Sequence, residues 1–318
     1  RKFLGLAKDL QNEIDERFYK WVVERYAGLY NQPPVPPVMV HHIARAMARE
    51  VSQFPDEKVA LIVMDGLALD QWIILRDALA KQRPKFAFRE NAVFAWIPTV
   101  TSVSRQSQFA GKPPLYFPSS INTTSKEASL WFQFWLDKGL NQTQIAYMKG
   151  LGNGESNGLK EVTENTRVRV AGLIVDKVDK IMHGMELGTQ GMHNQVRQWV
   201  QQGHLANIID LLGEQKFKVW LTSDHGNIEA DGIGRPSEGA IADTKGERVR
   251  VYSDHGLRGQ VKAAFPEAIE WPAIGLPDNY LPLIAQGRSA FIPKGKKTVA
   301  HGGISVEEVI VPLIEIGS

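Results

Sequence analysis

The chain has 318 residues, 43% apolar and 23% charged, a make-up ordinary for a soluble globular protein and enough for one large α/β domain or two smaller ones. Its net charge of +2 does not single out nucleic acid as a partner. The absence of cysteine excludes disulfides, thiolate metal sites and a cysteine nucleophile and fits a reducing compartment, and no apolar run has the length of a membrane span.

The opening, RKFLGLAKDL, carries neither an initiator Met nor a signal-peptide pattern, so the sequence reads as part of a longer protein. Over residues 3–30, Leu6, Leu10, Ile14, Phe18 and Val22 recur every four positions, the spacing of a helix with one apolar side. PPVPP at 33–37 stops it in a stiff connector, and a second helix is expected over 38–52. Residues 1–55 are therefore expected to be a helical preface, the tail of an upstream region.

From residue 58 the pattern changes. Strands are expected at 59–64, 94–97, 167–175 and 218–221, and helices at 70–80, 102–110 and 192–212, with a loop at 150–158. This alternation predicts a mostly parallel sheet flanked by helices, a fold that binds ligands beyond the carboxyl ends of its strands. Residues 229–297, punctuated by Gly and Pro, read as an insertion or cap on a domain spanning 56–318. Within it, 248–252 alternates like a half-exposed strand. Arg235, Lys245, Arg248 and Arg250 are candidates for substrate contact, against a solvated basic surface.

The strand ends carry the chemistry. VALIVM leads to Asp65, VAGLIV to Asp176, and FKVWLTS to Asp224 and His225. Carboxylates and imidazoles there suit a metal ion, because buried charge is costly unless paired or coordinated. Each Asp alone could equally cap a helix. Thr101 or Ser102 would start a helix whose unpaired amides favour an anion, and Arg105, one turn on, could reach the same phosphate. A hydroxyl in that place could act as a nucleophile, or simply cap. Asp179 and His183 are spaced to share one helix face, with Asp176 as ligand, supporting partner or cap. His301 precedes two glycines, and Ser305 with Glu308 forms a capping box for a last helix. The second SDHG, with Asp254 and His255, ranks below the first. His41 and His42 read as structural or exposed, and His193 and His204 lack an acidic cluster.

Read in order, the segments LYNQPPVPPVMVHHIARAMA, LIVMDGLALDQW, IPTVTSVSRQSQFAGK, RVYSDHGLR and VAHGGISVEEVIVPLIEI resemble the alkaline phosphatase superfamily. Within it they resemble the PglZ domain of BREX and phage-growth-limitation defence systems, over residues 30–315. The resemblance implies an alkaline-phosphatase-like α/β fold and a cytoplasmic, metal-dependent phosphodiesterase or phosphatase acting on a phosphate ester, with nucleic acid as one candidate. Thr101 matches the nucleophile, ten positions before Gly111. Asp179, His183 and His301 match the ligands of one metal, and Asp65, Thr101, Asp224 and His225 those of the other. Two Zn²⁺ are the family default, with Mn²⁺ or Mg²⁺ as alternatives, and Arg105 matches a phosphate-recognition position. Thr101 and Val103 break the sulfatase motif. The system implies methyltransferase and ATPase partners. The alternative is a docking module of a defence complex with little turnover of its own.

Overall fold

The computed structural model describes residues 2–154, 157–237 and 242–317. In chain order the first elements are α1 (Lys2–Arg25), α2 (Val40–Gln53), β1 (Lys58–Met64), α3 (Leu69–Gln82), β2 (Ala87–Phe94), α4 (Thr101–Ala110), α5 (Glu127–Leu136) and β3 (Ile145–Leu151). Next come α6 (Asn157–Glu164), β4 (Val170–Val175), α7 (Lys177–His183), α8 (Gly188–Gln201), α9 (His204–Glu214) and β5 (Phe217–Ser223). The last third holds β6 (Ile228–Gly232), β7 (Thr244–Lys245), β8 (Val249–Tyr252), α10 (His255–Ala264), β9 (Ile269–Glu270), β10 (Leu281–Ile284), β11 (Ser289–Ala290), β12 (Lys297–Ala300), the single turn α11 (Val306–Val309) and β13 (Ile310–Gly317).

The apolar runs that do not alternate become the central strands. A strand with neighbours on both edges and helices on both faces has no solvent side. Accordingly β1 and β4 are buried at nearly every position. The main sheet runs β2-β13-β5-β1-β4-β3, with β5, β1, β4 and β3 parallel and β13 antiparallel to both its neighbours. Alternate residues of β1 serve two cores. Val59, Leu61 and Val63 pack with α2, α4 and α5, whereas Ala60, Ile62 and Met64 pack with α3, α8 and α9. The expected mostly parallel α/β architecture is the observed one. Beside it, the 229–297 region supplies a four-stranded sheet, β7-β8-β10-β9, and a three-stranded one, β11-β6-β12.

Several expectations are corrected. The helix expected over 192–212 is two helices, broken where Gly203 adopts a left-handed φ of 80°. The strand expected at 94–97 lies earlier, as β2, an edge strand whose charged, exposed side chains hide its periodicity. The last helix is one turn, and the apolar stretch after it is β13, inserted between β2 and β5. The half-exposed strand at 248–252 is buried throughout, Arg248 included. The first half of α1 matches its periodicity but leaves Leu6, Leu10 and Ile14 exposed. By contrast α2 lies in the main core, its Ile43 and Met47 packed with the helices of that face, and the hydroxyl of Tyr26 donates to the Ala95 carbonyl at 2.8 Å. Residue 55 therefore marks no break in the core. The loop expected at 150–158 falls partly outside the described residues. Among the described residues no helix is long and apolar enough to cross a membrane.

Candidate metal centre

Register places the site. Met64 pairs with Val175 on one side and with Ser223 on the other, so Asp65, Asp176 and Asp224 leave the sheet side by side. Adjacent strands lie about 4.8 Å apart, so the side chains that follow β1 and β5 can reach one another. Gly66 turns the chain at φ 75°, and a Cβ on Gly226 would collide with the Glu307 carbonyl. The next segment, β6, pairs with β12 so that Ala300 faces Ile228, which brings His301 beside the Asp224–His225 turn. Asp176 precedes α7 and pairs with Lys180 at 2.7 Å, while Asp179 and His183 project from one face of that helix, 3.3 Å apart.

Two ligand-like groups result. Asp179, His183 and His301 form one, and Asp65, Asp224 and His225 the other, each with its potential ligand atoms within 4.8 Å of one another. The groups touch: the rings of His225 and His301 stack at 3.9 Å and 11°. His225 Nδ1 donates to the Gly226 carbonyl at 3.0 Å and His301 Nδ1 to that of Thr99 at 2.8 Å. A carbonyl only accepts, so Nδ1 carries the proton in both rings and Nε2 keeps a lone pair for a ligand. Thr101 begins α4, and its Oγ1 lies 2.9 Å from His225 Nε2. Thr99 clamps the late loop to this turn, with Oγ1 accepting from Gly302 N at 2.9 Å and donating to the Gly303 carbonyl at 3.1 Å.

The electrostatics ask for positive charge. Burial, then the charge of Asp224, pushes the Asp65 carboxyl up to about 7. Asp224 is likewise raised by burial. Burial holds His225 below the usual imidazole range and, with His225 beside it, pushes His301 down to about 4. Burial pulls Asp179 upward, yet His183 and the other two imidazoles hold it below its usual value. Asp65 Oδ1 and Asp224 Oδ2 are buried and accept no hydrogen bond from the described residues. Two carboxylates with an imidazole, and one carboxylate with two imidazoles, are donor sets that fit Zn²⁺ or Mn²⁺, and the orphaned oxygens are what such an ion would satisfy.

The seven expected metal positions thus converge. Arg105 does not sit as expected. Instead of turning its whole guanidinium to an anion at the helix start, it donates from Nε to Glu127 at 2.7 Å and from Nη1 to Asp65, with Asp224 Oδ2 3.8 Å away. Because α4 is buried all along after its first residue, the cation must be neutralised inside. Glu127 was hidden in the sequence, since an acid opening a helix is the ordinary partner of the helix dipole. Tyr147, whose hydroxyl donates to Glu127 at 2.9 Å, carried no signal either. Asp254 caps α10, accepting from Leu257 N at 2.9 Å, and the second SDHG lies outside the two groups. Arg248 pairs with Glu308 in the interior, while Arg235 and Lys245 are exposed. His41 and His42 are buried in α2 and bond the backbone around Tyr30 and Val38. His193 has one acid partner, Asp70, at 2.7 Å, and lies outside both ligand groups.

A family model described as the BREX system PglZ alkaline phosphatase-like domain matches residues 43–316. The chain belongs to the PglZ family. The match begins within α2 and ends in β13, so it contains every member of both ligand groups. No curated protein matches this PglZ domain in sequence. Among solved structures it is similar to murine ectonucleotide pyrophosphatase/phosphodiesterase 5, an inactive threonine-to-alanine form in complex with AMP. The TM-score is 0.60 at 12% identity, over 81% of this chain and 87% of that one. The human protein of that name gives 0.58 at 12% identity, over 82% and 87%. At such identity the likeness shows the fold, which is alkaline-phosphatase-like.

Proposed function

We propose that this PglZ domain is a metal-dependent phosphohydrolase that cleaves phosphodiesters, with Thr101 as nucleophile. The observation that carries the reading is the place of Thr101 Oγ1, at a helix start and 2.9 Å from His225 Nε2, beside both ligand groups. Divalent ions held by Asp179, His183 and His301 and by Asp65, Asp224 and His225, with Zn²⁺ the best match and Mn²⁺ or Mg²⁺ next, would lower the pKa of a hydroxyl and neutralise phosphoryl oxygens. The chain's own contribution is positional. The start of α4 would offer backbone amides to a phosphate, and Thr99, two residues before the nucleophile, ties the chain there to Gly302 and Gly303. Attack by Oγ1 forms a bond to phosphorus as the ester oxygen leaves, and water then cleaves the phosphothreonine. The inactive threonine-to-alanine form of the murine phosphodiesterase, in complex with AMP, supports both the residue type and the substrate class.

A docking role in the BREX system is favoured by one feature, the exposed row Leu6, Leu10 and Ile14 on α1. Hydrolysis of bis-p-nitrophenyl phosphate decides between them. Wild-type turnover should disappear on chelation, return with added metal, and fall at least ~10³-fold in Thr101→Ala. Unchanged hydrolysis in Thr101→Ala overturns the nucleophile, and a metal-loaded protein with no turnover supports docking.

A further inference from the structure

Arg105 is 6% exposed and held at two points. On one side Glu127, fully buried, accepts from its Nε at 2.7 Å and is itself fixed by the hydroxyl of Tyr147 at 2.9 Å. On the other side Nη1 donates to Asp65 and stands 3.8 Å from Asp224 Oδ2. Each of those two carboxylates keeps one buried oxygen that accepts no hydrogen bond among the described residues. The guanidinium is thus a permanent positive charge beside one ligand group. The other group has no such neighbour: among the described residues Asp179 pairs only with His183.

A fixed cation acts on such a group in two opposite ways. With no ion bound, it keeps two buried like charges from facing each other alone. When a divalent ion enters, the same charge repels it at close range, where screening by water is poor. Glu127, on the far side of the guanidinium, cancels part of that repulsion. We propose that Arg105 stands in for the charge of the ion in the metal-free site and competes with it. On this account Arg105 lowers, and Glu127 raises, the affinity of the Asp65–Asp224–His225 group for a divalent cation. This rests on the metal-dependent reading above. Arg105 and Glu127 are positioning residues in it, and they set the metal concentration at which that group fills.

The two residues predict opposite signs, which damage to the fold does not. Mn²⁺ titration calorimetry on the metal-stripped full chain, in an Asp179→Asn background that removes the other group, reads this group alone. Relative to that background, Arg105→Met should bind Mn²⁺ at least ~10-fold more tightly and Glu127→Gln about 10-fold more weakly. Arg105→Met should also melt at a lower temperature when metal-free. Arg105→Gln, which keeps a polar contact without charge, should bind more tightly too and serves if the Met variant does not fold. Weaker binding in both Arg105 variants, or no change in any variant, overturns the proposal. If the parent chain binds no Mn²⁺, the metal-dependent reading falls and this inference with it. If only the parent binds, the assignment of the Asp65 group as a metal site is overturned while the nucleophile assignment is judged separately by Thr101→Ala.

Discussion

Arg248 and Arg105 are both buried, and their surroundings differ in one respect. Among the described residues Arg248 meets a single carboxylate: Nε and Nη2 reach the two oxygens of Glu308 at 2.7 and 3.0 Å, and Nη1 and Nη2 also donate to the carbonyls of Ser289 and Gly287 at 2.5 and 2.8 Å. Against burial, Arg248 and the amide of Gly303 hold the Glu308 carboxyl below its usual range. Around Arg105, three carboxylates share one cation, two oxygens accept nothing, and Asp65 is pushed up rather than down. A balanced buried pair of the first kind is architecture, here tying the capping turn at Ser305 to β8. A buried deficit of positive charge marks a place where a cation belongs.

The largest effect is expected at the balanced pair. Arg248→Ala leaves Glu308 charged in the interior without its cation, though still bonded by Gly303 N, Ser305 N and Ser305 Oγ, so stability should fall by about 3–5 kcal/mol, measured as a lower urea midpoint. An unchanged midpoint would falsify the architectural role. The unbalanced cluster should respond to metal instead. Saturating wild-type protein with Mn²⁺ at roughly 100 times the dissociation constant should add about 2.7 kcal/mol for each group filled, read in a thermal melt. Asp224→Asn should lose the part of that gain belonging to its group. The same variant, metal-free, should be more stable than wild type by about 1 kcal/mol, because it removes a surplus charge while Oδ1 keeps its bonds from Gly66 N and His225 N. Metal-free destabilisation of that size would mean that the deficit had been misread. Outside both clusters, Leu6→Ser on the exposed row of α1 should change stability by less than about 0.5 kcal/mol.

Legibility in the sequence followed the same divide. Asp65 was readable because an unbroken apolar run ends just before it, and Asp224 and His225 because they close FKVWLTS, a mostly apolar run of strand length. Asp179 and His183 were readable from a four-residue spacing, and His301 from its two glycines. Their division into two groups came from family resemblance, since no local pattern says which strand end lies beside which. Glu127 could not be read, because its partner is 22 positions away and its own context is a normal helix start. The inward turn of Arg105 depends on the burial of α4, a property of neighbours rather than of the segment. The final strand misled for a related reason: the Ser305–Glu308 box does begin a helical turn, but pairing with β2 and β5 takes over one turn later.

The position of that strand has a consequence for assembly in time. β13 is an interior strand made from the last described residues, and β5 cannot gain its second neighbour until those residues arrive. β1, too, finds its partner β5 some way along the chain, with Lys58 opposite Phe217. Such distant pairings slow folding, since the chain must close long loops before any contact rewards it. The centre draws on residues from Asp65 to His301, so it should be among the last features to form. Removing the final strand would abolish it without deleting one of its residues.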